Sequence, residues 1–420
     1  MPSGSTTQTL TPVPHAPAAA PAFAVALVAL ALAAFVAPAR ADVTFANSDS
    51  VYLVGEFVDP VCLFQHNMHG LSAKQCAMVR GRVEQGMGFL DIRRRQFFTV
   101  VGQNHWQDPR AGFLDALGET LAIKARVWSR DGANAIVVNG VYPMDRQPPV
   151  RFAWWPWHLE WSVPLGCALL ALFYSLAVTR WRAALGGDAP FEPWRALSFG
   201  ASLVVALGSL SGPLHDLSDQ YLFSTHMIQH LLLAQVFPPL FLLGLPRWLA
   251  RWLTTRPWAK GAWRWASAVP VGFALYTLVF TVWHVPALYD LMMRAHPFHI
   301  AMHLMVMATA VLMWWPVAGG SAVEKPLSAP AQIFYLAVIG IPMMPVAALI
   351  TFATQPLYEW YALAPRVFAD LSAVDDQRLG GLIMWVPGTI YWVIPITVIY
   401  FRHAERETRS DDPLAIPSTP

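Results

Sequence analysis

The sequence predicts an all-α bundle of seven transmembrane helices, preceded by a small exported domain that is rich in β-strands. Hydrophobic residues make up 55% of the 420 residues and charged residues only 13%, which is too apolar for a soluble protein of this length. After Trp157, seven apolar stretches reach the ~20 residues that a helix needs to cross a hydrocarbon core of about 30 Å. Most of the polar sequence lies before them, in residues 42–150.

The first 41 residues are interpreted as a targeting segment. The stretch 21–36 is apolar but short, and Ala39-Arg40-Ala41 after it is typical of a signal-peptidase site. Because the residues before this stretch contain no Lys or Arg, an uncleaved N-terminal anchor is the alternative. Either interpretation exports the chain from Asp42 onward.

Residues 42–150 are predicted to form a small β-barrel with one helix, of OB-like type. Apolar and polar residues alternate in several short runs, and Asp131-Gly132 is typical of a hairpin turn between the last two. The stretch 72–83 predicts the helix. The strand-like runs are 51–54, 97–101, 121–128 and 135–141.

Cys62 and Cys76 lie in this exported domain, close to His66 and His69. Outside the cytoplasm, two such cysteines favour a disulfide. A soft-metal site built on the same residues is the alternative.

The transmembrane domain is predicted to span residues 151–403, with a polar tail at 404–420. Loops on one side of the membrane, with the tail, carry twelve Lys and Arg residues, against three in the alternate loops. The positive-inside rule therefore places the C-terminus in the cytoplasm and the domain 42–150 outside. The predicted spans are roughly 158–179, 195–213, 222–245, 266–286, 299–318, 331–352 and 379–401.

Histidines in and beside three of these spans predict a metal site at the outer leaflet. His226 and His230 are four residues apart, so their rings project from one helix face. His299 and His303 repeat that spacing on another span, and an imidazole within a membrane is a functional hypothesis by default. Three histidines are predicted as additional ligands or relay groups: His215, His284 and His296.

Carboxylates of the same face are predicted to assist these imidazoles. Asp216 and Asp219 follow His215, Asp290 follows His284 and Asp376 lies at the start of the last span. A carboxylate beside a ligating imidazole can fix its tautomer. Solvated loop charge is the alternative for each of them.

Several motifs resemble the multi-span CtaG family of caa-type cytochrome c oxidase assembly factors. They occur in order as STHMIQHL at 224–231, FPPL at 237–240, WHVPALYD at 283–290 and WWPV at 314–317. The resemblance implies a non-enzymatic protein of the bacterial inner membrane that supplies copper to the catalytic subunit of the oxidase. The exported domain at 42–150 departs from the minimal family pattern.

The sequence and the resemblance together predict an assembly factor that binds copper through His226, His230, His299 and His303. A haem-binding membrane cytochrome is one alternative, because paired histidines on facing helices also hold haem. A copper transporter is another. The sequence has no basic run that would suggest a nucleic-acid partner.

Overall fold

The computed structural model describes residues 50–80, 86–103, 108, 112–130, 132–152, 161–185, 191–319 and 326–410. The predicted targeting segment lies outside these residues, and so does the tail beyond Ser410. The predicted domain boundaries stay predictions.

The N-terminal part is a closed barrel of five strands, so the predicted β-barrel is confirmed. The strands follow the order β1-β2-β3-β5-β4, and β4 pairs with β1 to close the barrel. Only β3 and β5 run parallel. The OB-like type stays a prediction. The strands are β1 (Ser50–Val58), β2 (Met87–Asp91), β3 (Gln96–Val100), β4 (Thr120–Arg130) and β5 (Ala133–Pro143).

Two helices lie against this barrel, α1 (Pro60–His66) and α2 (Leu71–Arg80), where the sequence predicted one. Cys62 of α1 and Cys76 of α2 form a disulfide, the interpretation that the sequence favoured. The soft-metal alternative is wrong for these two residues, because both sulfur atoms are used in the bond.

Fourteen helices follow the barrel among the described residues. They contain six helical segments that are long and apolar enough to cross a membrane, and two of these segments, Phe223–Gly244 and Ala329–Phe352, combine consecutive helices. A seventh is counted only if α9 and α10, which meet at a 76° bend, form one span, so the predicted seven stays a prediction. The helices are α3 (Ser162–Thr179), α4 (Pro193–Leu210), α5 (Pro213–Gln220), α6 (Phe223–Leu231), α7 (Phe237–Gly244), α8 (Arg247–Thr254), α9 (Pro257–Ala266), α10 (Val269–Trp283), α11 (Pro286–Arg294), α12 (His296–Ala318), α13 (Ala329–Ile339), α14 (Met343–Phe352), α15 (Glu359–Ala362) and α16 (Ala373–Ser410).

The third span changes its helical geometry in the middle, and Pro238 explains why. A π-helical turn at Leu232–Val236 separates α6 from α7. Pro238 has no N–H to donate, and its ring crowds the carbonyl four residues earlier, which belongs to Ala234. That carbonyl accepts a hydrogen bond from the indole Nε1 of Trp314 at 3.1 Å. The bond joins the third span to α12.

The barrel contacts the bundle through the turn between β2 and β3. Arg93 of this turn is 2% exposed, and its guanidinium donates to the backbone oxygen of Gln220 at 2.9 Å. The same guanidinium lies 4.3 Å from the centre of the Trp360 ring. The backbone N–H of Val150 adds a bond to the oxygen of Arg366 at 2.7 Å. The barrel is therefore held at the end of the bundle where α5 and α15 lie.

The disulfide determines how many free thiols the protein should contain before and after reduction. Because the chain has three cysteines and two are paired, the protein denatured without reductant should contain one reactive thiol, that of Cys167. Titration after reduction should give three. Three thiols before reduction would contradict the pairing.

Arg93→Ala is expected to loosen the barrel from the bundle. The change removes a charge-assisted hydrogen bond and a buried cation–π contact, together worth about 3 kcal/mol. Limited proteolysis of the full-length protein should separate the two parts faster. Arg95→Ala is the matched control, because that neighbouring side chain is exposed, and its cleavage rate should stay at that of the unaltered protein.

Candidate metal centre

Two helices bring four of the predicted histidines together. On α6, the rings of His226 and His230 lie 4.3 Å apart between centroids, and on α12 those of His299 and His303 lie 4.6 Å apart. The helices face each other, with the His226 ring 5.7 Å from His299 and 5.8 Å from His303. All four residues are buried.

The three additional histidines lie around this group at different distances. The ring of His215, on α5, is 6.3 Å from His299, and that of His284, just after α10, is 6.2 Å from His230. His296 is the first residue of α12 and lines the pockets beside the group. The structure therefore places His215 and His284 next to the four, and His296 at their edge.

The carboxylate at the centre of the group is Asp219, on α5. One of its oxygens lies 3.3 Å from His299 Nδ1 and 3.5 Å from His215 Nε2. The other oxygen lies 3.9 Å from His226 Nδ1. One ligand atom each from Asp219, His226 and His299 can be chosen so that all lie within 4.8 Å of one another. From the sequence, Asp219 is an outer-face carboxylate that can assist an imidazole, but it is not predicted as a metal ligand.

Gln229 also belongs to this group, although no pattern in the sequence indicates it. It lies between the two histidines of α6, and its amide Nε2 is 3.2 Å from His215 Nδ1. If that amide donates, the proton of His215 lies on Nε2, which faces Asp219. The same amide donates to the backbone oxygen of Ser209 at 2.6 Å.

Two of the predicted carboxylates act on backbone groups instead of imidazoles. Asp376 accepts hydrogen bonds from the backbone N–H groups of Phe223 at 2.7 Å and Ser224 at 3.2 Å, the first residues of α6. Asp290 accepts from the N–H groups of Glu359 and Trp360, at the start of α15. Within the described residues neither carboxylate contacts an imidazole, because orphan N–H groups at a helix start compete for it. Asp216 lies on α5 with Asp219, and the role predicted for it stays a prediction.

Burial shifts the pKa of two groups that hold α15 in place, Asp290 of α11 and Tyr361 of α15. Burial raises the pKa of Asp290, and its two backbone hydrogen bonds oppose that rise. Burial also raises the pKa of the Tyr361 hydroxyl, and the nearby Asp219 adds to the effect. The hydroxyl therefore stays protonated and donates a hydrogen bond to the backbone oxygen of Ser218 at 2.7 Å.

His226 provides the test of whether these residues fit a metal ion. Its side chain is 0% exposed, and neither ring nitrogen has a hydrogen-bond partner within the described part of the chain. A buried polar atom without a partner costs roughly 1–3 kcal/mol, so the arrangement is expensive unless a ligand satisfies it. Two imidazoles and a carboxylate suit a borderline metal such as zinc or copper. The donor set therefore fits a metal ion.

A cleft of about 610 Å³ leads to this group from the barrel side. The barrel contributes Arg94 and Gln96 to its wall, and the bundle contributes Arg294. Asp219 and His299 line the cleft as well. The group is thus accessible from the junction between barrel and bundle.

Residues 172–406, which include the seven histidines predicted for the metal site, match the family described as cytochrome c oxidase caa3 assembly factor (Caa3_CtaG). The chain belongs to this family. No curated protein and no solved structure gives a match. The part that matches the caa3 assembly factor family covers more than half of the chain and leaves out the barrel.

Asp376→Ala is expected to destabilise this family member by about 2 kcal/mol. The change leaves two N–H groups of α6 without their acceptor and removes a negative charge from a helix start. The apparent Tm, followed by tryptophan fluorescence in detergent, should fall.

Asp375→Ala is the matched control for this measurement. Asp375 is the adjacent residue but is exposed, with a bond to Ser372 and an ion pair with Arg378, and surface pairs of this kind contribute about 0–1 kcal/mol. Equal losses of Tm in the two variants would contradict the role given to Asp376.

Proposed function

We propose that this protein binds copper at Asp219, His226 and His299 and supplies it to the catalytic subunit of cytochrome c oxidase during assembly. The observation that carries the proposal is the convergence of these donors within 4.8 Å in a buried site. Membership of the caa3 assembly factor family supports the destination. The role is non-enzymatic.

The neighbouring imidazoles extend the site. His303 Nε2 lies 2.9 Å from His299 Nε2, so one of these nitrogens carries a proton that the other accepts. His303 Nδ1 has no partner within the described residues. With His215 and His230 close by, the group offers more nitrogen donors than a single ion needs, which allows an ion to exchange ligands as it moves.

Delivery requires that the metal can leave. Asp219 is only 15% exposed, but it lines the cleft, so a competing ligand can reach it from the barrel side. Release would follow from tighter binding in the client oxidase. A site that was closed on all sides would store copper instead of passing it on.

The charge distribution supports an orientation in which the barrel and the histidines face outward in the bacterial inner membrane. The helices α8 and α9 carry Arg247, Arg251 and Arg264, while connections near the histidines are poor in Lys and Arg. Copper would then be handled at the outer leaflet, on the side to which the domain 42–150 is exported.

The test is the copper affinity of the purified full-length protein. Asp219→Asn keeps the shape of the side chain and removes its charge, and we expect copper to bind at least tenfold more weakly, as it should in His226→Ala. The double variant His226→Ala, His230→Ala should no longer bind Cu(II). Equilibrium dialysis followed by elemental analysis measures all three.

His403→Ala is the control, because His403 lies near the other end of α16 and pairs with Glu407. Its copper affinity should equal that of the unaltered protein. Unchanged copper binding in the double variant would contradict the proposal. A stoichiometric haem absorption band in the purified protein would also contradict it, in favour of the cytochrome alternative.

A further inference from the structure

A second pocket lies beside the histidine group, deeper in the bundle. It is enclosed by Met227 and His230 of α6, His284 after α10, Met343 of α14 and Met384 of α16. The three methionines are at most 6% exposed. The pocket is distinct from the cleft that reaches Asp219, because the two share no lining residue.

We propose that this pocket is a second metal site, selective for a soft monovalent ion such as Cu(I), with His230, His284 and the three methionines as its donors. The inference deepens the proposed function and rests on it for the identity of the natural ion. The donor chemistry itself comes from the pocket.

The two imidazoles point to a ligand independently of the methionines. The Nδ1 atom of His284 lies 2.6 Å from the backbone oxygen of Phe280, so it carries the proton. The Nε2 atom is left with a lone pair, and it has no hydrogen-bond partner among the described residues. His230 Nε2 likewise has no partner among them. A backbone carbonyl that fixes the tautomer in this way is typical of metal-binding histidines.

Packing alone explains the methionines less well than a ligand does. Methionine is an ordinary gap filler in apolar helices, so one thioether near a histidine would carry no weight. Here three thioethers from three helices line the same small pocket as two imidazole nitrogens that have no hydrogen-bond partner in the described parts of the chain. The rest of the wall, which includes Tyr276 and Val306, is largely apolar.

The two sites differ in the ions that they suit. Carboxylate and imidazole at Asp219 favour a borderline divalent ion, whereas thioether and imidazole favour Cu(I). The rings of His226 and His230 lie 4.3 Å apart, so the sites are adjacent. An ion can therefore bind at either site within one continuous set of donors.

The experiment uses Ag(I), a redox-inert soft monovalent ion, and Zn(II) with the purified full-length protein. In the double variant Met343→Leu, Met384→Leu, Ag(I) should bind at least tenfold more weakly while Zn(II) affinity is unchanged. The swap conserves side-chain volume, so the fold is expected to survive. Met292→Leu, Met313→Leu is the matched control, because both residues are fully buried and neither lines the pocket.

The outcomes separate this inference from the proposed function. Ag(I) affinity that is equal in the two double variants overturns the second site and leaves the Asp219 site untouched. Asp219→Asn should do the reverse, weakening Zn(II) and leaving Ag(I) in place. X-ray absorption of the Cu(I)-loaded protein should contain a copper–sulfur contribution that the Met343, Met384 double variant lacks, and its absence from the unaltered protein also overturns the inference.

Discussion

Asp219 places a carboxylate within 3.3–3.9 Å of imidazoles from three helices, α5, α6 and α12. A carboxylate in such surroundings is stable only where its neighbours are held in place, and several bonds hold the short helix that carries it. Trp360 donates its indole N–H to the backbone oxygen of Asp219 at 2.7 Å, and Ser218 donates to Gln229. The position of α5 therefore decides whether Asp219 and His215 join the four histidines of α6 and α12.

The barrel takes part in the same arrangement through Trp360. This residue binds the backbone of Asp219 on one side, and its ring lies under the guanidinium of Arg93. Arg93 also binds the backbone of Gln220, which is next to Asp219 in the chain. The N-terminal part, which the family comparison does not cover, is thus in direct contact with the residues that hold the candidate site.

The sequence predicts the features that depend on local periodicity, and misses those that depend on how helices meet. Same-face spacing pairs His226 with His230, and apolar length identifies the six candidate membrane spans among the described residues. Asp219 is named from the sequence only as an acidic residue after His215, because its closeness to His299 arises when the chain folds. Asp376 is predicted to assist an imidazole but caps α6 instead, since sequence does not say which donors a carboxylate will meet. Strand β2 is missed because Met87–Asp91 is short and contains Gly88.

The hydrogen bond from Trp314 to the backbone of Ala234 joins α12 to the span that begins with α6. It is formed by neutral groups and involves no histidine. The packing of these two helices therefore has a support that does not depend on their histidines. Substitution of the histidines should leave the helices packed together. In small zinc domains, by contrast, the fold depends on the residues that bind the metal.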